Sequence, residues 1–191
     1  MCAIIHFGTD GWRARVDDDF TADNVARIAD AVGELWQKIN PGKTVYIGFD
    51  TRPQAREFAE LAAGVLAAHG LDAVLASRPV PTPALTWAAA YDGGACGALM
   101  VTGSHHPQGY LCLKLRMGDG STANQDVIEE LEETMAPEPM GIEESYRTAD
   151  IIPDYMQAVA SPRPFEPLTC VWWLTPWAAR PRDILPTCCG S

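Results

Sequence analysis

Thr102-Gly103-Ser104-His105-His106-Pro107 places a hydroxyl nucleophile beside two imidazoles, directly after the apolar run Gly97-Ala98-Leu99-Met100-Val101. A strand that ends this way presents a hydroxyl at a sheet edge, where ligands of open α/β sheets bind. Gly103 lets the backbone turn so that N–H groups can converge on an anion, and Pro107 stiffens the exit. Upstream, Gly8-Thr9-Asp10-Gly11 is a glycine-flanked turn carrying Arg13, which is either a solvated surface charge or a partner for an anion. In Asp50-Thr51-Arg52-Pro53 the two charged residues either pair to shape their loop or contact a ligand directly.

These loops need a scaffold, and the patterning supplies one. Ile4-Ile5-His6-Phe7 reads as a strand running into the first turn. Thr21 is an N-cap for a helix whose face is Val25, Ile28, Ala29, Val32, Leu35, Trp36 and Ile39, ending near Asn40-Pro41-Gly42. Thr44 to Phe49 is a strand, followed by a helix through His69, a cation before the terminating Gly70. Leu71 to Ala76 is the next strand, and Pro79-Val80-Pro81-Thr82-Pro83 starts a helix over Ala84 to Tyr91. Ala95 to Val101 delivers Ser104, Tyr110 to Leu115 is a further strand, and Asn124 to Met135 is a helix with Glu129, Glu130, Glu132 and Glu133 on a solvated face. This alternation predicts an α/β fold: a mixed, mostly parallel sheet with helices on both faces.

Phe7-Gly8-Thr9-Asp10-Gly11-Trp12-Arg13-Ala14, Gly48-Phe49-Asp50-Thr51-Arg52, Pro81-Thr82-Pro83 and the serine hexapeptide follow one another as in the first domain of the α-D-phosphohexomutases, which the chain resembles over roughly residues 4–150. That family, which includes phosphoglucomutases and phosphomannomutases, has Thr-Ala-Ser-His-Asn-Pro at the loop, so Gly103 and His106 depart from it. It also carries Tyr-Asn-Gly-hydrophobic-Lys where Leu111 and Cys112 stand here, while Lys114 matches.

The resemblance implies a phosphohexomutase domain I-like α/β/α sandwich and an isomerase, an intramolecular phosphotransferase of carbohydrate metabolism. Ser104 would carry phosphate as phosphoserine, pass it to a hexose phosphate and recover the sugar's other phosphate, with Arg13, His105 and Lys114 as catalytic neighbours. Lys114 would be the general acid/base, which needs surroundings that lower its pKa; otherwise it is an exposed strand lysine. Ser104 would also be a ligand, through its phosphate, of Mg²⁺ (magnesium), whose remaining ligands lie outside this chain. A sugar 1,6-bisphosphate would be the activator. Family members take metal carboxylates, sugar contacts and a phosphate clamp from domains II–IV, so the chain alone is expected to be nearly inactive. By the same resemblance, Trp12 favours the phosphoglucomutase and phosphomannomutase branches over the phosphoglucosamine branch, where isoleucine is usual. The alternatives are a non-catalytic phosphate-binding or interaction module, consistent with His106, Leu111 and Cys112, and a serine hydrolase, which lacks its Gly-x-Ser-x-Gly elbow.

The 191 residues suffice for one buried domain and part of a second. A net charge of -11 argues against nucleic acid and anionic membrane as partners. No apolar run of about 18 residues and no basic, apolar leader is present, so a cytoplasmic location is the expectation. The cysteines have no metal or redox spacing. The organisation expected is a first domain over residues 1–136, a linker over 137–152, and an incomplete start of a second domain over 153–191. From Cys170 onward Trp172, Trp173, Trp177 and the prolines 176, 181 and 186 suit no regular element. Back-translating from Val171 and reading two nucleotides later permits Val-Asp-Pro-Met and then Gly, the family's second-domain opening, so a frameshift near Cys170 is expected.

Overall fold

The computed structural model describes residues 5–139, 141–143 and 145–161. The tail on which the frameshift expectation falls lies outside the described residues. The described residues form six strands and five helices: β1 (Trp12–Arg15), α1 (Ala22–Ile39), β2 (Thr44–Phe49), α2 (Ala55–Ala68), β3 (Asp72–Ala76), α3 (Thr82–Asp92), β4 (Gly97–Thr102), β5 (Tyr110–Met117), α4 (Gln125–Thr134), β6 (Arg147–Ala149) and α5 (Ile152–Ala160). The sheet runs β1-β5-β4-β2-β3-β6, with β4, β2, β3 and β6 mutually parallel and β5 antiparallel to both β4 and β1.

Capping chemistry sets the helix ends. The Thr21 hydroxyl accepts from the Asn24 N–H, and the Asn124 side chain accepts from the Val127 N–H. The apolar stripe of α1 buries Trp36 completely, together with Val25, Ile28 and Val32. Packing of α1, α2 and α4 covers one sheet face, whose core includes Ile47, Leu99, Leu111, Leu113 and Leu115. A smaller core on the other face, built from Leu85, Ala88, Ala98 and Met100, lies under α3. That second face carries Arg13 on β1, Cys112, Lys114 and Arg116 on β5, and Thr102 on β4, since Arg13 and Thr102 both register with Cys112 and Met100 with Lys114.

His69 is more than a helix-end cation. Its Nε2 lies 2.8 Å from Asp30 Oδ1 with both side chains nearly buried, so it clamps α2 to α1. Glu132 also leaves the solvated face assigned to it, accepting the Phe7 N–H at 2.6 Å, while Glu130 pairs with Lys38 at 2.8 Å.

Two expectations about strands need correction. The sheet begins after the first turn, not before it: residues 5–7 lie outside the sheet, with Phe7 tied to α4, and β1 forms beyond Gly11. Gly11, at φ 128°, passes so close to β5 that a Cβ would sit 2.4 Å from the Leu113 carbonyl oxygen. The stretch expected as a linker supplies β6, which pairs with β3 and is fastened by Arg147, whose Nε and Nη2 donate to Asp72 at 2.8 and 2.7 Å. The segment after it, α5, meets α3 through Tyr155 and Trp87, and the chain through Ala160 is one compact unit.

Candidate active site

The C-terminal ends of the neighbouring parallel strands β2 and β4 deliver Asp50 and Thr102 side by side. Asp50 Oδ2 accepts from Thr102 Oγ1 at 2.8 Å and from the Gly103 N–H at 2.9 Å, while Oδ1 accepts the Arg52 N–H at 2.9 Å. Thr102 Oγ1 in turn accepts the Ser104 N–H at 2.9 Å. Ser104 is thereby held exposed at φ 50°, a left-handed conformation that costs a non-glycine residue about 1 kcal/mol or more. The loop closes through the His106 N–H, which donates to the Gly103 carbonyl at 2.9 Å.

Arg52 pairs with Asp50 at 3.7 Å, the loop-shaping alternative for these two residues. Its guanidinium also donates to the carbonyls of Ser104, His106, Pro107 and Tyr110. Sequence reasoning did not find this grip, because nothing local links residue 52 to residues 104–110. A cleft of about 320 Å³ adjoins the loop exit, lined by Arg15, Asp17, Arg52, Gln54, Gln108 and Tyr110.

His105 is exposed, with Nδ1 3.4 Å from Ser104 Oγ, a long contact, and its ring 4.2 Å from that of His106. No carboxylate orients His105 among the described residues, which leaves the hydrolase alternative without a triad. The His106 Nε2 is buried without a hydrogen-bond partner. Burial, and then the charges of Arg13, His105, Arg52 and Lys114, push this imidazole below its ordinary pKa.

Lys114 is not an exposed strand lysine: its side chain is 12% exposed and its Nζ donates to Asp10. Arg116 donates to the other oxygen of the same carboxylate. Burial alone would raise the Asp10 pKa, but the hydrogen bonds and charges of Lys114 and Arg116 outweigh it and hold the carboxyl below the usual range. Burial pushes the Cys112 thiol up, so it remains a neutral neighbour. Trp12, by contrast, is a core residue, stacked on Phe20 at 4.9 Å and 4% exposed.

Among the described residues no group of three or more His, Cys, Asp or Glu could hold a metal ion. Neither is there a helix long and apolar enough to cross a membrane.

Comparison with known proteins places this architecture. Residues 5–140 match the family model for phosphoglucomutase/phosphomannomutase, alpha/beta/alpha domain I. The chain is 38% identical over 141 residues to phosphoglucosamine mutase from Cupriavidus metallidurans, covering 71% of this chain and 31% of that protein. Against phosphoglucosamine mutase from Polaromonas naphthalenivorans it is 31% identical over 136 residues, covering 71% and 30%. A Thermus thermophilus crystal structure, provisionally assigned as a phosphomannomutase, superposes with a TM-score of 0.79 at 35% identity, covering 83% of this chain and 36% of that one. The chain spans about a third of the length of these relatives. With its sheet order, its serine loop and this match in hand, the chain belongs to the phosphoglucomutase/phosphomannomutase family and carries that family's first α/β/α domain.

Proposed function

We propose that the chain is the serine-bearing domain of a hexose phosphate mutase, with Ser104 as phosphoryl carrier. The observation that carries this reading is an exposed serine, held in a left-handed turn at the end of β4, beside a sheet face bearing Arg13, Lys114 and Arg116. A sugar hydroxyl attacks the phosphorus of phosphoserine 104, the new P–O bond forms as the bond to Ser104 Oγ breaks, and the serine oxygen takes a proton. The bisphosphorylated sugar reorients and its other phosphate returns to Ser104, leaving the isomeric monophosphate. A sugar 1,6-bisphosphate supplies the first phosphoryl group.

Such transfers need positioning and neutralisation of charge on three oxygens more than they need covalent chemistry. Arg13 and Arg116 provide fixed positive charge. Lys114, steered by Asp10, holds or gives the proton at its Nζ, and His105 borders the serine oxygen. Mg²⁺ would add further charge neutralisation. The described residues offer it one ligand, the Ser104 phosphate, and do not otherwise fit a divalent cation, so its carboxylates would come from elsewhere in the polypeptide. The names of the relatives span amino sugar and neutral sugar substrates, and the substrate class proposed is a hexose 1- or 6-phosphate.

The test is to purify the chain from cells and map its phosphate by tandem mass spectrometry. Phosphate on Ser104, lost in Ser104→Ala, is expected. A phosphate-free Ser104 in protein taken from cells would replace the reading with a non-catalytic binding module.

A further inference from the structure

We infer that Arg52 is the positioning residue of the serine loop, and that Gly103 is matched to it. Its bearing on phosphoryl transfer rests on the function proposed above; its bearing on loop order does not. The Arg52 side chain is 20% exposed and reaches four main-chain acceptors in one loop: the Ser104 oxygen at 3.2 Å, His106 at 2.5 Å, Pro107 at 2.8 Å and Tyr110 at 3.0 Å. A planar guanidinium with five donors in a rigid fork can serve several fixed carbonyls at once, whereas an ammonium with three rotatable donors cannot hold the same set. Four carbonyl dipoles that would otherwise add negative potential beside a phosphoserine are thereby neutralised by one cation. The same cation is anchored by Asp50 Oδ2, the oxygen that also accepts from Thr102 and Gly103.

Gly103 completes the device. A Cβ on residue 103 would lie 1.9 Å from Arg52 Cζ, 2.0 Å from Nε and 2.2 Å from Nη1. The guanidinium therefore occupies the space in which the related loop pattern carries an alanine methyl. In this chain the guanidinium takes its position because residue 103 lacks a side chain, and a methyl group there would have to displace it from the loop carbonyls.

The experiment compares the full chain with Arg52→Lys and Gly103→Ala by amide hydrogen exchange and by the phosphate occupancy of Ser104 in protein purified from cells. The amides of Gly103, Ser104, His106 and Tyr110 are expected to exchange about tenfold faster or more in both variants, with α1 and β2 unchanged. The phosphate occupancy of Ser104 is expected to fall about tenfold in both variants, a change that a purely structural residue would not produce. Gly103→Ala keeps every charge and serves as the second probe if Arg52→Lys fails to fold. Wild-type exchange in the folded variants would overturn the inference. Faster loop exchange in both variants of a chain that takes no phosphate would support the clamp and count against the phosphoryl-carrier reading instead.

Discussion

Asp10 and Asp72 are carboxylates at opposite ends of the sheet, each held by arginine. Burial works against the charge of Asp10, and Lys114 and Arg116 overcome it; for Asp72 the Arg147 hydrogen bond is the largest influence, opposed by burial and aided by the Thr44 hydroxyl. Both titrate below the usual carboxylate range in the folded chain. A depressed folded pKa contributes stability that is complete above the unfolded value of about 3.9 and is lost as pH falls through the lower folded value. Side-chain exposures of 45% and 41% mean that solvent screens both contributions. The melting temperature should therefore hold above about pH 4 and decline below it, and Asp72→Asn should flatten part of that decline. Thermal melts from pH 2 to 6 decide this, and an acid limb unchanged by the substitution would show that Asp72 is not a source of it. At this scale the loop around Ser104 stood out in the sequence itself, and the family resemblance singled out Arg13 and Lys114. Asp10 as the partner of Lys114, and Arg52 as the clamp, stayed hidden because each contact joins residues more than fifty positions apart.

The seam between α1 and α2 shows how packing overrides local preference. Gly33 lies inside α1, where alanine would ordinarily gain about 1 kcal/mol of helix propensity. A Cβ there would stand 2.5 Å from His69 Cδ2, and that ring cannot swing away cheaply because it is nearly buried and bound to Asp30. Overpacking of this kind costs about 1–3 kcal/mol, so Gly33→Ala should destabilise the chain by about 1 kcal/mol net, read from urea unfolding. A stabilised variant would show the seam to be loose. The periodic elements α1, β2, α2, β3 and β4 were readable because each carries a long, one-faced or wholly apolar pattern. β1 and β6 were not: four and three residues are too few for alternation to register, and both exist through their neighbours, β5 and β3.

Among the described residues, α1, α2 and α4 pack over one sheet face, and on the other the part formed by β1 and β5, with Arg13, Lys114 and Arg116, lies outside the α3 core. Phosphoryl transfer requires water to be kept from the reacting groups. The purified 191-residue chain is accordingly expected to interconvert glucose 1-phosphate and glucose 6-phosphate no faster than background, even with a trace of sugar bisphosphate. Sustained turnover in a coupled dehydrogenase assay would show that the described residues suffice. The sheet's two borders bear on a different property. Unpaired strands at the rim of a sheet are templates on which further copies can stack into fibrils. Among the described residues those rims are the two shortest strands, β1 with Arg13 and Arg15 and β6 with the Asp72-paired Arg147. Arg13 and Arg15 brought together would repel a second copy at the β1 rim, and three residues give the β6 rim little length to template one, so the strands that are least evident in the sequence are the ones that guard this sheet against self-assembly.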